Sequence, residues 1–289
     1  MKRLLKSFLP VPARRVLIGG TAAYRLATNT LRTGPDFIII GGQRCGTTSL
    51  YEYLISHPNV VRASTKEIHF FDINFERGLS WYRSHFPLRD FDSYRKRIAQ
   101  KRITGEASPY YIFHPYALRR IAETTHRVKL IAILRNPIDR ALSHYQHEVS
   151  IGYEKLSFAE AILQESQRLA TEQDTMKSDE HYYSFAHQHY SYLSRGLYEN
   201  QLRGLWQAGF SKKQVLVLQS EEFFADSERG YSELLEFLEL PAWKPSKFER
   251  LNLQHYDHMT ADMREHLRLF FEPHNQRLYH LLGRDLNWR

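Results

Sequence analysis

The sequence predicts an α/β fold, three-layer α/β/α with a central, mainly parallel sheet and a P-loop-like nucleotide-binding turn. Three observations predict it. Short aliphatic runs alternate with segments of helical periodicity, and a glycine-rich turn joins the first such run to a helix. The length of 289 residues, with 42% hydrophobic and 25% charged residues, suits one large α/β domain with its own core.

Four short runs predict strands. The β-branched run 37–41 (FIIIG) is typical of a strand buried on both faces of a parallel sheet. The other three predicted strands are 102–108 (RITGEAS), 128–134 (VKLIAIL) and 214–221 (QVLVLQSE). Several buried strands with helical connections predict a single domain.

The segments between these strands predict helices. Segment 48–57 has apolar residues at helical spacing and ends before Pro58, and segment 136–149 has Pro137 at its start. The remaining predicted helices are 115–125 and 227–240, and segment 164–181 is the only candidate for a flexible insert.

Residues 1–34 are set apart as a basic N-terminal arm, with seven Lys and Arg and no acid. Their longest uncharged run, Val16 to Tyr24, is far shorter than the roughly 20 apolar residues that span a bilayer, which argues against a transmembrane anchor. A signal peptide has weak support, because Gly19 and Gly20 interrupt the run and no clear cleavage site follows. We expect a partly helical arm that packs loosely or makes peripheral contact with an anionic membrane surface.

The whole chain has a formal net charge of +8 and a pI near 9.4, which favours an anionic ligand or surface, although simple solubility explains the charge equally well. The single cysteine, Cys45, excludes a disulfide within the chain and a multi-cysteine metal site, and it fits a reducing compartment. The 15 histidines include no H-x-x-x-H or H-E-x-x-H spacing, so we expect no metal.

The glycine-rich turn is an altered phosphate-binding loop. Residues 41–48 are G-G-Q-R-C-G-T-T, in which Gly41, Gly46 and Thr48 match the pattern G-x-x-x-x-G-K-[ST] and Thr47 occupies the lysine position. Its cation is Arg44 instead. The next central strand is followed by arginine rather than the aspartate that helps to hold Mg²⁺ in nucleoside triphosphatases. The loop therefore predicts an anion-binding site that lacks the lysine and the aspartate with which nucleoside triphosphatases bind a triphosphate and its metal. The alternative interpretation is a tight turn that binds no ligand.

A second motif, LRNPIDRALSHY at 134–145, places Arg135 at a strand end and Ser143 on the first turns of the next helix. Both are expected to face the crevice at the carboxyl ends of the strands. A guanidinium and a hydroxyl suit a second, monoester phosphate. Two separate phosphate sites predict a nucleotide that is phosphorylated at two places.

Together these motifs resemble those of the sulfotransferase family that uses 3′-phosphoadenosine 5′-phosphosulfate (PAPS). GGQRCGTTSL is similar to that family's 5′-phosphosulfate loop, and LRNPIDRALSHY to its 3′-phosphate motif. The segments KEIHFFD (66–72), GEASPYY (105–111) and SRGLYENQLRGLW (194–206) resemble the heparan sulfate and other carbohydrate sulfotransferases and their bacterial relatives. The resemblance implies a sulfotransferase domain over residues 35–289.

The resemblance also implies roles for individual residues. Glu67 would be the general base, with His69 beside it, Lys66 as a nearby cation and Arg44 as a charge stabiliser, since an arginine cannot lose its proton. Cofactor binding would fall to Gly42, Gln43, Arg44, Cys45, Gly46, Thr47, Thr48, Ser49, Arg135 and Ser143, with Arg195 and Gly196 as further contacts. Candidates for acceptor contact are Tyr145, His147 and Tyr198, and the aromatic stretch 181–192 would flank the acceptor cleft unless packing alone explains it.

The implied reaction is in-line transfer of the sulfuryl group of PAPS, without a metal, to leave 3′-phosphoadenosine 5′-phosphate. It needs a base near the acceptor oxygen and cations near the leaving phosphate. The implied acceptor is a hydroxyl or amine of a carbohydrate, a glycolipid-like molecule or another small molecule, with no nucleic acid as partner. The lack of an anchor and of disulfides favours a cytoplasmic enzyme.

The chain departs from the resembled 3-O-sulfotransferases at two points. They carry a lysine in an E-K-[TS] segment where this chain has Glu106-Ala107-Ser108. They also carry a disulfide-bounded loop with a Lys-Gly pair, whereas segment 251–266 of this chain has no cysteine and no such pair.

Two other classes of protein remain possible interpretations of the sequence. A P-loop small-molecule kinase would need Mg²⁺ and ATP, and Thr47 opposes it. A non-catalytic protein that binds anionic glycans or membranes would not need Glu67.

Overall fold

Five parallel strands form the central sheet of the computed structural model, which describes residues 11–89, 102–251 and 259–288. The strands are β1 Phe37–Gly41, β2 Val60–Arg62, β3 Ile103–Ala107, β4 Lys129–Leu134 and β5 Val215–Gln219. Their order across the sheet is β2-β3-β1-β4-β5. Ile39 of β1 lies opposite Ala107 of β3 on one side and Ile131 of β4 on the other. Strand β1 is therefore central, and its carboxyl end lies beside those of β3 and β4.

Helices cover both faces of the sheet. In the described ranges they are α1 Val11–Ala27, α2 Thr47–Ser56, α3 Gly78–Arg83, α4 Ala117–Thr124, α5 Pro137–Ser150, α6 Phe158–Leu169, α7 Glu172–Ser178, α8 Phe185–His189, α9 Tyr198–Gln207, α10 Ser220–Ala225, α11 Ser227–Phe237 and α12 Ala261–Leu282. Short 3₁₀ turns occur at Asn29–Leu31, Phe75–Arg77, Ser194–Gly196 and Lys212–Gln214.

The alternation of side chains along β1 divides the core into two layers. Ile38 and Ile40 pack in one hydrophobic cluster with apolar residues of α4, α9 and α12. Phe37 and Ile39 pack in the other cluster with residues of α2 and α11. All four side chains are fully buried. The predicted three-layer α/β/α fold with a parallel sheet is confirmed.

One sequence prediction is wrong. Segment 164–181, expected to be a flexible insert, lies largely in α6 and α7. Ser157 and Glu160 form a reciprocal capping box at the start of α6. Further along, Glu165 accepts hydrogen bonds from the backbone N–H groups of Leu193 (2.6 Å) and Ser194 (2.8 Å). The segment is helical because α6 begins before it with this capping box and because Glu165 anchors it to the backbone at Leu193 and Ser194.

The basic arm contains a helix, as expected. From Gly19 onward the side chains of α1 are mostly exposed, whereas Arg32 after the helix is buried and donates a hydrogen bond to the Phe86 carbonyl at 2.7 Å. Within the three described ranges, no helix has the length and apolar character that crossing a bilayer requires. Membrane contact by the arm stays a prediction.

A buried carboxyl group ties the loop at 66–72 to the sheet. Glu106 of β3 is fully buried and accepts hydrogen bonds from the hydroxyls of Tyr82 (2.8 Å), Tyr111 (3.1 Å) and Ser108 (2.7 Å). Two of these hydroxyls in turn accept backbone N–H groups of the loop, Ser108 from His69 at 3.2 Å and Tyr111 from Phe70 at 2.8 Å. The conformation of the loop therefore depends on Glu106.

Burial raises the pKa of Glu106 to about 7, although the hydrogen bonds from Ser108 and Tyr82 oppose the rise. The folded protein consequently keeps a proton on this carboxyl at a pH where the unfolded chain has released it. Glu106 therefore adds a destabilising contribution as pH rises from its unfolded pKa through its folded pKa.

We expect Gly105→Ala in β3 to destabilise the fold by about 1–3 kcal/mol, because the added methyl group would overpack a central strand. A Cβ at this position would lie 2.3 Å from the Phe37 carbonyl oxygen of β1. The matched control is Gly204→Ala in α9, where the nearest atom, on Leu118, is 3.4 Å away. This change should be neutral or stabilising by up to about 1 kcal/mol, because alanine favours a helix interior. Urea denaturation of both variants measures the difference, and equal stabilities would contradict the clash.

We expect Glu106→Gln to gain stability relative to the wild type as pH rises from about 4.5 to above 7, by at most roughly 1.4 kcal/mol per pH unit. The amide retains a hydrogen-bond acceptor for Tyr82 and Tyr111 but does not ionise. Thermal unfolding of both proteins across this range measures the difference. A difference that does not vary with pH would show that Glu106 has the same pKa in the folded and unfolded states.

Candidate active site

A cavity of about 290 Å³ opens at the carboxyl ends of β1, β3 and β4. It is bounded by the loop after β1, by Pro109 and Tyr110 after β3, and by Arg135 after β4. Twelve of the residues predicted for catalysis, cofactor binding or acceptor contact line it: Gln43, Arg44, Cys45, Gly46, Thr47, Thr48, Lys66, Glu67, His69, Arg135, Ser143 and His147.

The turn at Gly46 directs the amino terminus of α2 into this cavity. Gly46 has φ of 99°, a conformation that favours glycine, and a Cβ there would lie 2.4 Å from the Phe224 ring. Helix α2 begins at Thr47, so the first backbone N–H groups of the helix have no partner within it. Such N–H groups, with the positive end of the helix dipole, bind anions.

The two sequence motifs meet through their polar side chains. The Arg44 Nε donates to the Ser143 Oγ at 3.1 Å, and the Arg135 guanidinium lies 3.4 Å from the Arg44 carbonyl oxygen, to which it donates. The Tyr198 hydroxyl donates to the Arg135 carbonyl at 2.9 Å. Two cations, a serine hydroxyl and a helix terminus therefore share one cavity.

Helix α5 presents two of its residues to the same space. Asn136 caps the helix by accepting a hydrogen bond from Ile138 N at 3.0 Å, and Pro137 begins it. Ser143 and His147 lie four residues apart, hence on one face of the helix, and both line the cavity.

Glu67 lies in a short chain of charged groups on the opposite side of the cavity. The Lys66 ammonium donates to one Glu67 carboxylate oxygen, and His69 Nε2 lies 3.3 Å from the other. The other ring nitrogen of His69, Nδ1, is 2.8 Å from the Asp72 carboxylate, whose side chain is fully buried. His69 therefore bridges two carboxylates.

These contacts determine the protonation states. Burial raises the pKa of Glu67, but the hydrogen bond from His69 and the charge of Lys66 outweigh it and lower the pKa to about 2. Burial lowers the pKa of His69, yet hydrogen bonds to Asp72 and Glu67 raise it to about 10. Near neutral pH, Glu67 is a carboxylate and His69 an imidazolium. The Glu67 side chain is 42% exposed, so it remains accessible to a molecule that enters the cavity.

Six predicted site residues lie outside the cavity wall: Gly42, Ser49, Arg195, Gly196, Tyr145 and Tyr198. Their contacts show how they support it. Gly42 donates its N–H to the Ile133 carbonyl at 2.7 Å, and the Ser49 hydroxyl accepts from the Leu251 N–H at 2.9 Å. Tyr145, predicted as an acceptor contact, donates its hydroxyl to the Leu156 carbonyl at 2.9 Å.

Arg195 is buried behind the loop rather than exposed in the cavity. Its guanidinium donates to the Gln43 side-chain oxygen and packs over the rings of Tyr110 (4.9 Å) and Phe113 (4.8 Å). Gly196 lies so close to Phe271 that a Cβ would be 2.8 Å from its ring. Arg195 can thus hold Gln43 in position without itself lining the cavity.

Five wall residues were not predicted individually: Pro109, Tyr110, Gln188, Arg250 and Leu251. Gln188 lies in the aromatic stretch 181–192 that was expected to flank the acceptor cleft, and Pro109 and Tyr110 lie in the family segment 105–111. Arg250 adds a third guanidinium to the cavity wall and lies over the Phe224 ring at 4.5 Å. It stands one residue before segment 251–266, where the expected Lys-Gly pair is absent. A search for cations that began slightly earlier in the chain could have found it. Residues 252–258 of that segment lie outside the described residues.

Within the described ranges, no three His, Cys, Asp or Glu side chains cluster as ligands for a metal ion. The expectation of metal-free chemistry stays a prediction.

Comparison with known proteins identifies the family. The model of the sulfotransferase domain matches residues 34–265. The sulfotransferase structure from Alicyclobacillus acidocaldarius is 32% identical, covers 89% of this chain and 99% of its own, and superposes with a TM-score of 0.66.

Two curated relatives match over 88% of this chain: the membrane-associated sulfotransferase kil1 of Dictyostelium discoideum (27% identical) and heparan sulfate glucosamine 3-O-sulfotransferase 3A1 of Mus musculus (28% identical). The chain spans 66% and 64% of the length of these relatives. The predicted family, and with it the predicted enzyme class, is confirmed: the chain belongs to the sulfotransferase domain family.

Proposed function

We propose that the protein moves the sulfuryl group of PAPS to a hydroxyl or amine of a carbohydrate or glycolipid-like acceptor. One observation carries the proposal. A helix amino terminus with two arginines and a serine lines the same cavity as an ionised glutamate that is flanked by two cations.

The donor side fits a nucleotide with two separate phosphate groups. The N–H groups of Thr47 and Thr48 and the Arg44 guanidinium suit the 5′-phosphosulfate. Arg135 and Ser143, on the next strand and helix, suit the 3′-phosphate. Gly46 permits the left-handed turn, with φ of 99°, from which helix α2 begins.

Glu67 is proposed as the base that accepts the proton of the acceptor hydroxyl. A carboxylate whose pKa is about 2 is a weak base, so proton transfer must accompany formation of the new oxygen–sulfur bond rather than precede it. Positioning then supplies most of the rate enhancement, as it does in other transfers with loose transition states.

Lys66 and the His69 imidazolium are proposed to stabilise the negative charge on the transferring group. Both touch Glu67 and both line the cavity. The resembled enzymes carry a lysine at the position of Ala107, whose N–H donates to the Lys66 carbonyl at 3.2 Å, so Lys66 lies close to that position. Preorganised charges of this kind can contribute several kcal/mol to transition-state stabilisation.

Similarity to the mouse heparan sulfate glucosamine 3-O-sulfotransferase supports a carbohydrate acceptor for this chain. Peripheral membrane contact through residues 1–34 and a cytoplasmic location stay predictions.

We expect 3′-phosphoadenosine 5′-phosphate to bind with micromolar affinity in calorimetric titration, and Arg44→Ala and Arg135→Ala each to weaken it about tenfold to a hundredfold. Each variant loses a charge-assisted contact to a phosphate. The control is Arg62→Ala, which removes an exposed cation paired with Glu52 outside the cavity. Preference for ATP with Mg²⁺ over the bisphosphate would favour the kinase alternative and contradict the proposal.

We expect Glu67→Gln to lower kcat for sulfuryl transfer by about 10² to 10⁴, because the amide cannot accept the proton. Affinity for the bisphosphate should stay close to that of the wild type. Transfer of labelled sulfate from PAPS to methyl glycosides and to heparan sulfate measures the rate. Glu52→Gln, which alters another carboxylate paired with a cation but lies outside the cavity wall, serves as the control. Unchanged transfer in Glu67→Gln would exclude Glu67 as the base.

A further inference from the structure

The backbone at His69 has a strained conformation. Its φ of 51° lies in the left-handed region, which a residue with a Cβ adopts only at a cost in free energy. This turn divides the loop at 66–72 into two parts. Glu67 and His69 line the cavity, whereas Phe70 and Phe71, directly after the turn, are fully buried. Such a conformation persists only where surrounding contacts fix it, and residues strained in this way are concentrated at functional sites.

Hydrogen bonds to the backbone of His69 hold this conformation. Its N–H donates to the Ser108 hydroxyl at 3.2 Å. Its carbonyl oxygen accepts the backbone N–H of Asn74 at 2.8 Å and the side-chain amide of Asn74 at 2.9 Å. The same amide also donates to the Ile68 carbonyl at 3.2 Å. Neither Asn74 nor Ser108 lines the cavity, so both fix the His69 backbone from outside it.

The backbone of His69 determines where its ring lies. The ring is held between two carboxylates, with Nδ1 2.8 Å from Asp72 and Nε2 3.3 Å from Glu67. The longer of these distances is near the upper limit for a hydrogen bond, so a small displacement of the ring would break it. Burial raises the pKa of Glu67, and the hydrogen bond from His69 is the largest of the contributions that lower it. The charge on Glu67 therefore depends on the position of this ring.

No sequence motif indicated Asn74. It lies two residues beyond the segment KEIHFFD at 66–72, and its side chain contacts only the backbone of that segment among the hydrogen bonds of the described residues. An asparagine amide that donates to two carbonyl oxygens has little reason to be placed there except to hold the loop in one conformation. Ser108 holds the same loop from β3, where Glu106 accepts its hydroxyl proton at 2.7 Å.

We infer that Asn74 and Ser108 are positioning residues for sulfuryl transfer: by holding His69 in its left-handed conformation, they keep the ring nitrogen Nε2 against Glu67. This inference rests on the proposed function, in which Glu67 is the base and His69 supplies positive charge. Neither positioning residue needs to touch the donor or the acceptor. Loss of either one relaxes the His69 backbone and moves its ring away from both carboxylates.

The first test needs no acceptor. NMR titration of the histidine ring protons in the full chain measures the pKa of His69, whose signal is assigned from its loss in His69→Gln. Burial lowers this pKa, but the hydrogen bonds to Asp72 and Glu67 raise it to about 10. We expect Asn74→Ala and Ser108→Ala each to lower it by about one unit or more toward the ordinary value of 6.5, because the ring leaves both carboxylates.

The other charged and titratable groups around the pair are the same in every variant. Lys66 lies on the same loop, and Arg44 and His147 face the pair from elsewhere in the cavity wall. A change in the pKa of His69 therefore reports its own displacement.

Kinetics separate positioning from stability. With PAPS and whichever acceptor the wild type sulfates, we expect Asn74→Ala to lower kcat about tenfold to a hundredfold, because a small misplacement of charged groups slows transfer. Bisphosphate affinity and KM for PAPS should stay within about twofold of the wild type. The rate should also fall at a lower pH than in the wild type, since the displaced imidazolium loses its proton more readily.

Asn29→Ala is the matched control. It removes a similar hydrogen bond, from a side-chain amide to the Leu26 carbonyl at 2.7 Å, and Asn29 lies outside the cavity wall. We expect it to leave kcat, the pKa of His69 and bisphosphate affinity unchanged. Thermal unfolding of all variants shows whether each one folds.

The inference would be overturned if Asn74→Ala and Ser108→Ala kept both a His69 pKa near 10 and the wild-type kcat. A lower kcat with an unchanged pKa would equally overturn it, because the two residues would then act by another route. Unfolding of both variants would show a structural role instead. Failure of the proposed function is a separate outcome, seen as absent bisphosphate binding or as unchanged transfer in Glu67→Gln, and the His69 titration does not depend on either.

Discussion

The position of β1 between β3 and β4 is the constraint on which the site depends. Parallel strands end at the same edge of a sheet, so this order brings together the loops that follow the three central strands. The first loop contributes Arg44 and the start of α2, the second Tyr110, and the third Arg135. None of these segments is near another in sequence, and a different strand order would separate them. The hydrogen bond from Arg44 to Ser143 is a direct consequence of this arrangement.

A second level of organisation lies behind the reacting groups. Glu106 lies in a fully buried hydrogen-bond network. Through the hydroxyls of Ser108 and Tyr111 it positions the loop backbone that carries Glu67 and His69. The sequence analysis marked the segment of Glu106 as resembling the family and as lacking the family's lysine, but gave it no supporting role. In the structure its glutamate and serine have a supporting role, while Lys66 and His69 place positive charge beside Glu67. The charges around Glu67 thus depend on the loop 66–72, which hydrogen bonds from residues in and after β3 hold in place.

Much of the fold was predictable because its signals are local. Each predicted strand and helix has a counterpart within a few residues, since aliphatic runs, Pro137 and Pro58 act through neighbouring residues. The missed elements have weaker signals, although the Ser157–Glu160 capping box at the start of α6 is a local signal that was overlooked. Strand β2 has only three residues, and α6 and α7 are polar segments stabilised by caps and by distant contacts such as that of Glu165 with Leu193. Among the wall residues, Arg250 and Leu251 belong to no predicted motif, and only packing brings them to the cavity wall.

By itself the sequence determined the fold class, the altered phosphate loop and the second phosphate motif, because each is encoded in residues that are adjacent along the chain. It also determined that residues 1–34 carry seven Lys and Arg and no acid. Only the tertiary structure decided which candidates share a cavity, that Arg195 supports Gln43 from behind, and that Arg250 joins the cavity wall. The physical reason is that strand order, burial and the pKa values of Glu67 and His69 depend on contacts between residues far apart in the chain.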